Sequence, residues 1–155
     1  MKKGIIGLIV CAALIGTASA GEKVVVIVNE ANAQNLTAAD LKNMYNDIVI
    51  HWANDKPIDL YDTPVSAEAR KIFSEKVLGV SPNEAAREWA NRKITNTAKN
   101  PPKTTKEELV PKLVAKDPNA IGYVSASVAE GKEGIKAMRE RRSPDFAAAR
   151  RNDNA

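Results

Sequence analysis

Residues 57–79, PIDLYDTPVSAEARKIFSEKVLG, constrain this chain more than any other stretch. Ile58 and Leu60 alternate with Asp59 and Tyr61, the period-two pattern of a strand. Thr63 then offers an oxygen for a helix N-cap, and Pro64 suits a first helical position, where a missing N–H costs nothing. Ala69, Ile72, Phe73 and Val77 follow at helical spacing, and Gly79 supplies a left-handed stop. A strand that feeds a helix start leaves backbone N–H groups pointing out of the fold with a partial positive charge, which is a ready place for an anion. The turn carrying Thr63 and Ser66, with Arg70 one helical turn further on, is therefore the candidate ligand site.

The N-terminus sets the compartment. Lys2 and Lys3, an apolar run over residues 5–15 and the small residues Ala18, Ser19 and Ala20 form a cleavable signal peptide over residues 1–20. The apolar run is too short to span a bilayer. Cys11 is filler in that run, because bulky Val10 precedes it and apolar sequence continues beyond it. Cleavage leaves residues 21–155 with no cysteine, which excludes disulfides, thiolate catalysis and cysteine-bound metals together. Export without disulfides points to a bacterial periplasm and to a fold held by one core. Loss of Lys2 and Lys3 takes the formal charge from +4 to +2, too mild an excess to argue for nucleic acid.

Along the rest of the chain, VVVIV at residues 24–28 reads as a central strand buried on both faces, hence parallel and helix-covered. Thr37 to Asp40 starts a helix like a capping box, with Leu41, Met44, Tyr45 and Ile48 on its apolar face. His51 is the only histidine, so the chain has no second one for a metal cluster or a relay, and it reads as a loop residue beside packed Trp52. Ser81, Pro82 and Glu84 form a second capping box, before a helix whose face is Ala86, Trp89, Ala90 and Lys93. Thr105 caps a third helix, which Pro111 should bend or shorten. Residues 120–124, AIGYV, form a buried strand whose Gly122 marks a close approach by another backbone or a ligand, and residues 135–138 form a short last strand. Residues 139–155, with Arg139, Arg141, Arg142, Arg150 and Arg151, read as a solvated basic tail. Strands alternating with helices give an α/β domain with a mainly parallel sheet flanked by helices.

The ordered pieces resemble the second lobe of the periplasmic phosphate-binding proteins of ABC transporters, within the type II periplasmic-binding-protein superfamily. Four stretches carry the resemblance. They are Leu36-Thr37 through Tyr45 to Trp52, the strand–turn–helix of residues 57–79, Trp89 with Pro101-Pro102, and Asn119-Ala120-Ile121-Gly122-Tyr123-Val124, which is similar to the family's GAIGYV strand. The resemblance implies a single periplasmic-binding-protein-like lobe over residues 21–138. The chain is also similar to short exported proteins grouped with phosphate ABC transporter substrate-binding proteins. The family's Ser-Gly-Thr positions are held by Ala67, Glu68 and Ala69, its arginine position by Thr63, and an expected glycine by Asp47.

What the resemblance implies is non-covalent capture of phosphate or another small anion at Thr63 and Ser66. Arg70 would fold its side chain back toward the turn, with Asn46 or the loop near Tyr123 assisting. One lobe makes half a site, so an ABC permease, a sensor or a second protomer would complete it. The alternative is an interaction module that keeps the lobe and has lost the ligand, as the missing Ser-Gly-Thr suggests. No catalytic residue, metal or cofactor is expected, because neither a nucleophile–base pair nor paired carboxylates at helical spacing are present.

Overall fold

The computed structural model describes residues 23–137. In chain order they form β1 (Val24–Asn29), α1 (Ala38–Tyr45), β2 (Asp59–Asp62), α2 (Glu68–Phe73) continued by a π-helical turn (Ser74–Leu78), α3 (Pro82–Ile94) and β3 (Lys103–Thr104). A 3-10 turn (Glu107–Leu109), α4 (Val110–Lys116), β4 (Ala120–Ser125), α5 (Ala126–Ala129) and β5 (Ile135–Ala137) follow. The five strands make one sheet in the order β3-β2-β4-β1-β5. Its β3-β2-β4 side is parallel. β1, expected to be parallel, is antiparallel to both β4 and β5. Burial of both faces explains the unbroken VVVIV run equally well in either direction, so composition could not decide between them. The expected signal peptide, residues 1–20, and basic tail, residues 139–155, lie outside the described residues. Among the described residues no helix is long and apolar enough to cross a membrane.

The sheet has a core on each face because strand side chains alternate. Val26 and Val28 of β1, Leu60 of β2 and Ile121 and Tyr123 of β4 pack with Leu41, Met44, Tyr45 and Phe73 from α1 and α2. Val25, Ile27, Ala120 and Val124 face the other way, against Val110 and Val114 of α4. Trp52 is buried and its indole N–H donates to the Asn119 carbonyl at 2.9 Å, tying the loop after α1 to the start of β4.

Local chemistry sets most helix ends. Both expected capping boxes form, Thr37 with Asp40 and Ser81 with Glu84. Gly79 closes the π-helical turn at φ +76°. Other expectations shift. α1 ends at Tyr45, which leaves Ile48 beyond the apolar face and 66% exposed. On α3 the buried pair is Ala85 and Trp89, and the Arg92 guanidinium lies 5.0 Å over the Trp89 ring; Ala90 and Lys93 face solvent. No side chain caps the Glu107–Leu109 turn, so Thr105 is not its cap. Pro111 falls in the first turn of α4, where its missing N–H costs no helical hydrogen bond, and the α-helix starts only at Val110, after the 3-10 turn.

Gly122 is the close approach its position suggested. A Cβ there would meet Cγ1 of fully buried Val110 at 2.6 Å and the Cβ of Tyr61 at 3.3 Å. Val110 is stiff at χ1 and cannot swing clear. Gly122→Ala is expected to cost about 1–3 kcal/mol by overpacking. A urea midpoint unchanged from the parent would show that α4 yields instead.

Candidate functional site

The site forms where β2 ends. Leu60 and Asp62 share the buried side of β2, so the strand's alternation carries a carboxylate into the core with only 4% exposure. A buried carboxylate persists only with partners, and three converge on it. One Asp62 oxygen accepts the Tyr123 hydroxyl and, at 2.9 Å, the Thr63 backbone N–H. The other pairs with the Arg70 guanidinium, whose Nη1 also donates to the Thr63 carbonyl at 3.3 Å. The Thr63 hydroxyl donates to the Tyr123 oxygen at 3.0 Å. Arg70 and Phe73 lie three apart on α2, which puts the cation and an aromatic wall on one helix face.

Aromatic packing holds the hydroxyl in place. The Phe73 and Tyr123 rings stack at 4.0 Å, 2° from parallel, and Tyr45 meets Phe73 edge-on at 4.8 Å. The Tyr45 hydroxyl donates to the Tyr61 carbonyl at 2.8 Å. Burial pushes the Asp62 carboxyl above the ordinary carboxylate range, while Arg70 pulls it back toward ionisation. Burial, and then the Asp62 charge, push the Tyr123 phenol up, so it stays a donor. Burial works against the Arg70 charge, and Asp62 and Tyr123 together more than offset it, leaving the guanidinium above its usual value.

Of the three expected ligand residues, Thr63 and Arg70 come together at this corner and Ser66 does not. Thr63 does not cap a helix. Its hydroxyl is engaged by Tyr123, and the chain makes a turn with an Ala67 N–H to Pro64 carbonyl bond of 2.9 Å before α2 begins after Ala67. Ser66 sits exposed on that turn beside Val65, and Glu68 points to solvent. Arg70 does fold back toward the turn, the condition for a contact from it there, and is taken up by Asp62. Asn46 ends α1 and is only partly buried. Asp47 stands in the left-handed conformation, φ +66°, that a glycine would adopt freely, and its carboxylate accepts the Lys99 and Asn100 backbone N–H groups at 2.8 and 2.7 Å. His51 is an exposed bridge partner of Pro57. Asp62 was the residue missed, although alternation from Ile58 and Leu60 places it on the apolar face. On the opposite side of the sheet, Glu108, Pro111, Lys112, Ala115, Lys116, Lys132 and Glu133 line an open hollow of about 370 Å³.

The α/β sheet, with helices on both faces and a polar corner at a strand end, has the fold of one part of larger solved binding proteins. Solved structures share this fold at low identity. An ABC-type phosphate transport receptor from Vibrio cholerae aligns at TM-score 0.59 and 20% identity, over 79% of this chain and 47% of that one. PstS from Borrelia burgdorferi aligns at 0.60 and 15%, over 78% and 48%. A substrate-binding protein with bound phosphate from Clostridium perfringens aligns at 0.58 and 17%, over 84% and 51%. The chain thus spans about half the length of the structures it matches, and at these identities the shared property is the fold. No family model matches the chain, and no curated protein does.

Proposed function

We propose that this chain is an exported, one-lobe solute-binding protein that captures a small oxyanion, phosphate foremost, without covalent chemistry. One observation carries the reading. At the end of β2 the Arg70 guanidinium, the Tyr123 hydroxyl and the Thr63 N–H already grip an oxyanion, the carboxylate of Asp62. Charge-assisted donors held in a buried place are how proteins bind such groups. Thr63 and Arg70 would supply contacts to the solute and Ser66, on the turn just outside, its rim. The likeness to receptors named for phosphate transport supports the solute class, and the receptor and binding-protein names of those neighbours favour recognition over catalysis.

Residues 21–138 would form the lobe, released into the periplasm after cleavage of residues 1–20. With half the length of the matching structures, the lobe would need a second surface to shield the anion from water. An ABC permease, a sensor or a second protomer would provide it. A specific observation favours a second reading, an interaction module without ligand: the Thr63 and Tyr123 donors and one arm of Arg70 are already engaged inside the fold, with Thr63 fully buried.

Calorimetric titration of residues 21–155 separates the two. The protein is first unfolded and refolded to strip carried ligand, then titrated with phosphate, sulfate and arsenate at low salt. Saturable phosphate binding is expected, weakened about tenfold or more in Arg70→Ala, since a hydrogen bond to a charged group is worth about 1.5–3 kcal/mol; Thr63→Ala, which keeps the backbone N–H and loses only the hydroxyl, should weaken it too. Ser66→Ala should weaken it less. Flat traces with all three anions would discard capture in favour of the interaction module.

A further inference from the structure

Asp62 fills this corner incompletely. Its two oxygens take the Tyr123 hydroxyl, the Thr63 N–H and one arm of Arg70. Two buried polar atoms on the helical run that carries Arg70 have no partner among the described residues, Nε of Arg70 and Oγ of Ser74. Arg70 is 4% exposed and Ser74 0%, so neither can turn to solvent. They stand four residues apart and therefore on one face of the helical run that also carries Phe73. Leaving a buried polar group unmet costs more than making its bond gains, so folds seldom keep two such groups together without a reason. The Thr63 hydroxyl, meanwhile, is spent on Tyr123.

The set as a whole is larger than a carboxylate needs. The Arg70 fork, the Thr63 N–H and hydroxyl, the Tyr123 hydroxyl and the Ser74 hydroxyl are more than two oxygens can engage, whereas a tetrahedral oxyanion presents four. We propose that Asp62 is a built-in stand-in for the ligand, which holds the Arg70–Ser74–Tyr123–Thr63 donor set closed until a tetrahedral oxyanion displaces its carboxylate. This rests on the capture reading and adds to it a gate, Asp62, and a further binding residue, Ser74. The corner is closed, with Thr63 and Ser74 fully buried and Asp62 and Arg70 4% exposed, so an anion finds room beside the guanidinium as the carboxylate leaves, and the repulsion between the two charges favours that exchange. The way out is short, because Thr63 leads directly into the turn whose Val65 and Ser66 face solvent. The strength of the Asp62 pairing then sets the apparent affinity, as the population of a binding-competent state does in any two-state equilibrium.

The test is phosphate titration of the whole chain carrying Asp62→Asn, beside the parent, at matched ionic strength. The amide keeps the shape of the carboxylate and removes its charge. Phosphate is expected to bind the variant at least about tenfold more tightly than the parent, and to raise its melting temperature more. Ser74→Ala should leave the parent's stability unchanged or higher, yet weaken phosphate binding in the Asp62→Asn background. Purely structural roles for Asp62 and Ser74 would produce neither effect. Should Asp62→Asn fail to fold in chloride, refolding in phosphate is the readout. Recovery in phosphate alone supports the gate, and equal failure in both salts overturns it. Adding Arg70→Gln should restore folding in chloride and abolish the phosphate effect. If the parent binds phosphate and Asp62→Asn binds no better, the gate is wrong and capture stands. If neither binds, capture itself fails and the gate with it.

Discussion

Arg70→Ala is expected to destabilise the protein by about 3–5 kcal/mol, the cost of removing one partner from a buried ion pair. Arg70 and Asp62 are each only 4% exposed, so the substitution strands a carboxylate in a buried place without its charge partner. Tyr123 and the Thr63 N–H would remain on it, but neither carries a charge. Urea denaturation at an unchanged slope measures the loss. Asp62→Asn with Arg70→Met should return most of it, because removing both charges leaves none unpaired. The pH dependence has a definite sign. Burial already raises the Asp62 carboxyl in the fold, and without Arg70 nothing comparable pulls it down. A carboxyl with its folded pKa above its unfolded one holds its proton more tightly in the fold. Stability therefore falls as pH rises from the usual carboxylate range through the raised value. The deficit of Arg70→Ala should be largest at neutral pH and shrink on acidification through that window. A deficit below about 1 kcal/mol, the range of a surface pair, would mean that the corner is wetter than its burial implies.

The parts of this structure legible in the sequence are those fixed within a few residues. The boxes Thr37/Asp40 and Ser81/Glu84 close over three residues, and Gly79 needs only its own φ. The exposed Ile48 shows the limit of periodicity, since the apolar spacing runs on past the point where α1 stops at Tyr45. Long-range facts were hidden. The direction of β1 depends on β4, almost a hundred residues away, and a strand buried on both faces has the same composition either way. Thr63 carries a cap signal that is correct locally, but Tyr123, sixty residues on, takes its hydroxyl and the helix begins later. Arg70 and Asp62 were each half legible. Helical spacing puts Arg70 beside Phe73, and strand alternation puts Asp62 beside Leu60, two charges on apolar faces that most simply satisfy each other. Tyr123 alternates to the same side as Ile121 and completes the corner. Ser66 had nothing to pull it inward, being a small polar residue on a turn, and it lies at the surface.

Phe73→Ala is the second large effect, expected to cost about 3–5 kcal/mol. Phe73 is 2% exposed and touches both tyrosines of the corner, stacked on Tyr123 and edge-on to Tyr45. Truncation removes the ring's burial and leaves a cavity that rigid neighbours on α1 and β4 cannot fill, and the aromatic contacts add about 0.5–1.5 kcal/mol each. Phe73→Leu keeps most of the volume and should lose about 1.5 kcal/mol or less. The ring's role in the site is then separable from its role in the core. If the stack aims the Tyr123 hydroxyl at Asp62, Phe73→Leu and Tyr123→Phe must couple, because a tyrosine no longer held in line loses part of the bond that Tyr123→Phe deletes. A double-mutant cycle should show about 0.5–3 kcal/mol of interaction, the range for residues in one network. The coupling should fall in an Asp62→Asn background, where the acceptor has lost its charge. An additive cycle would make Phe73 a volume filler, and Arg70 and Asp62 alone would then set the geometry of the corner.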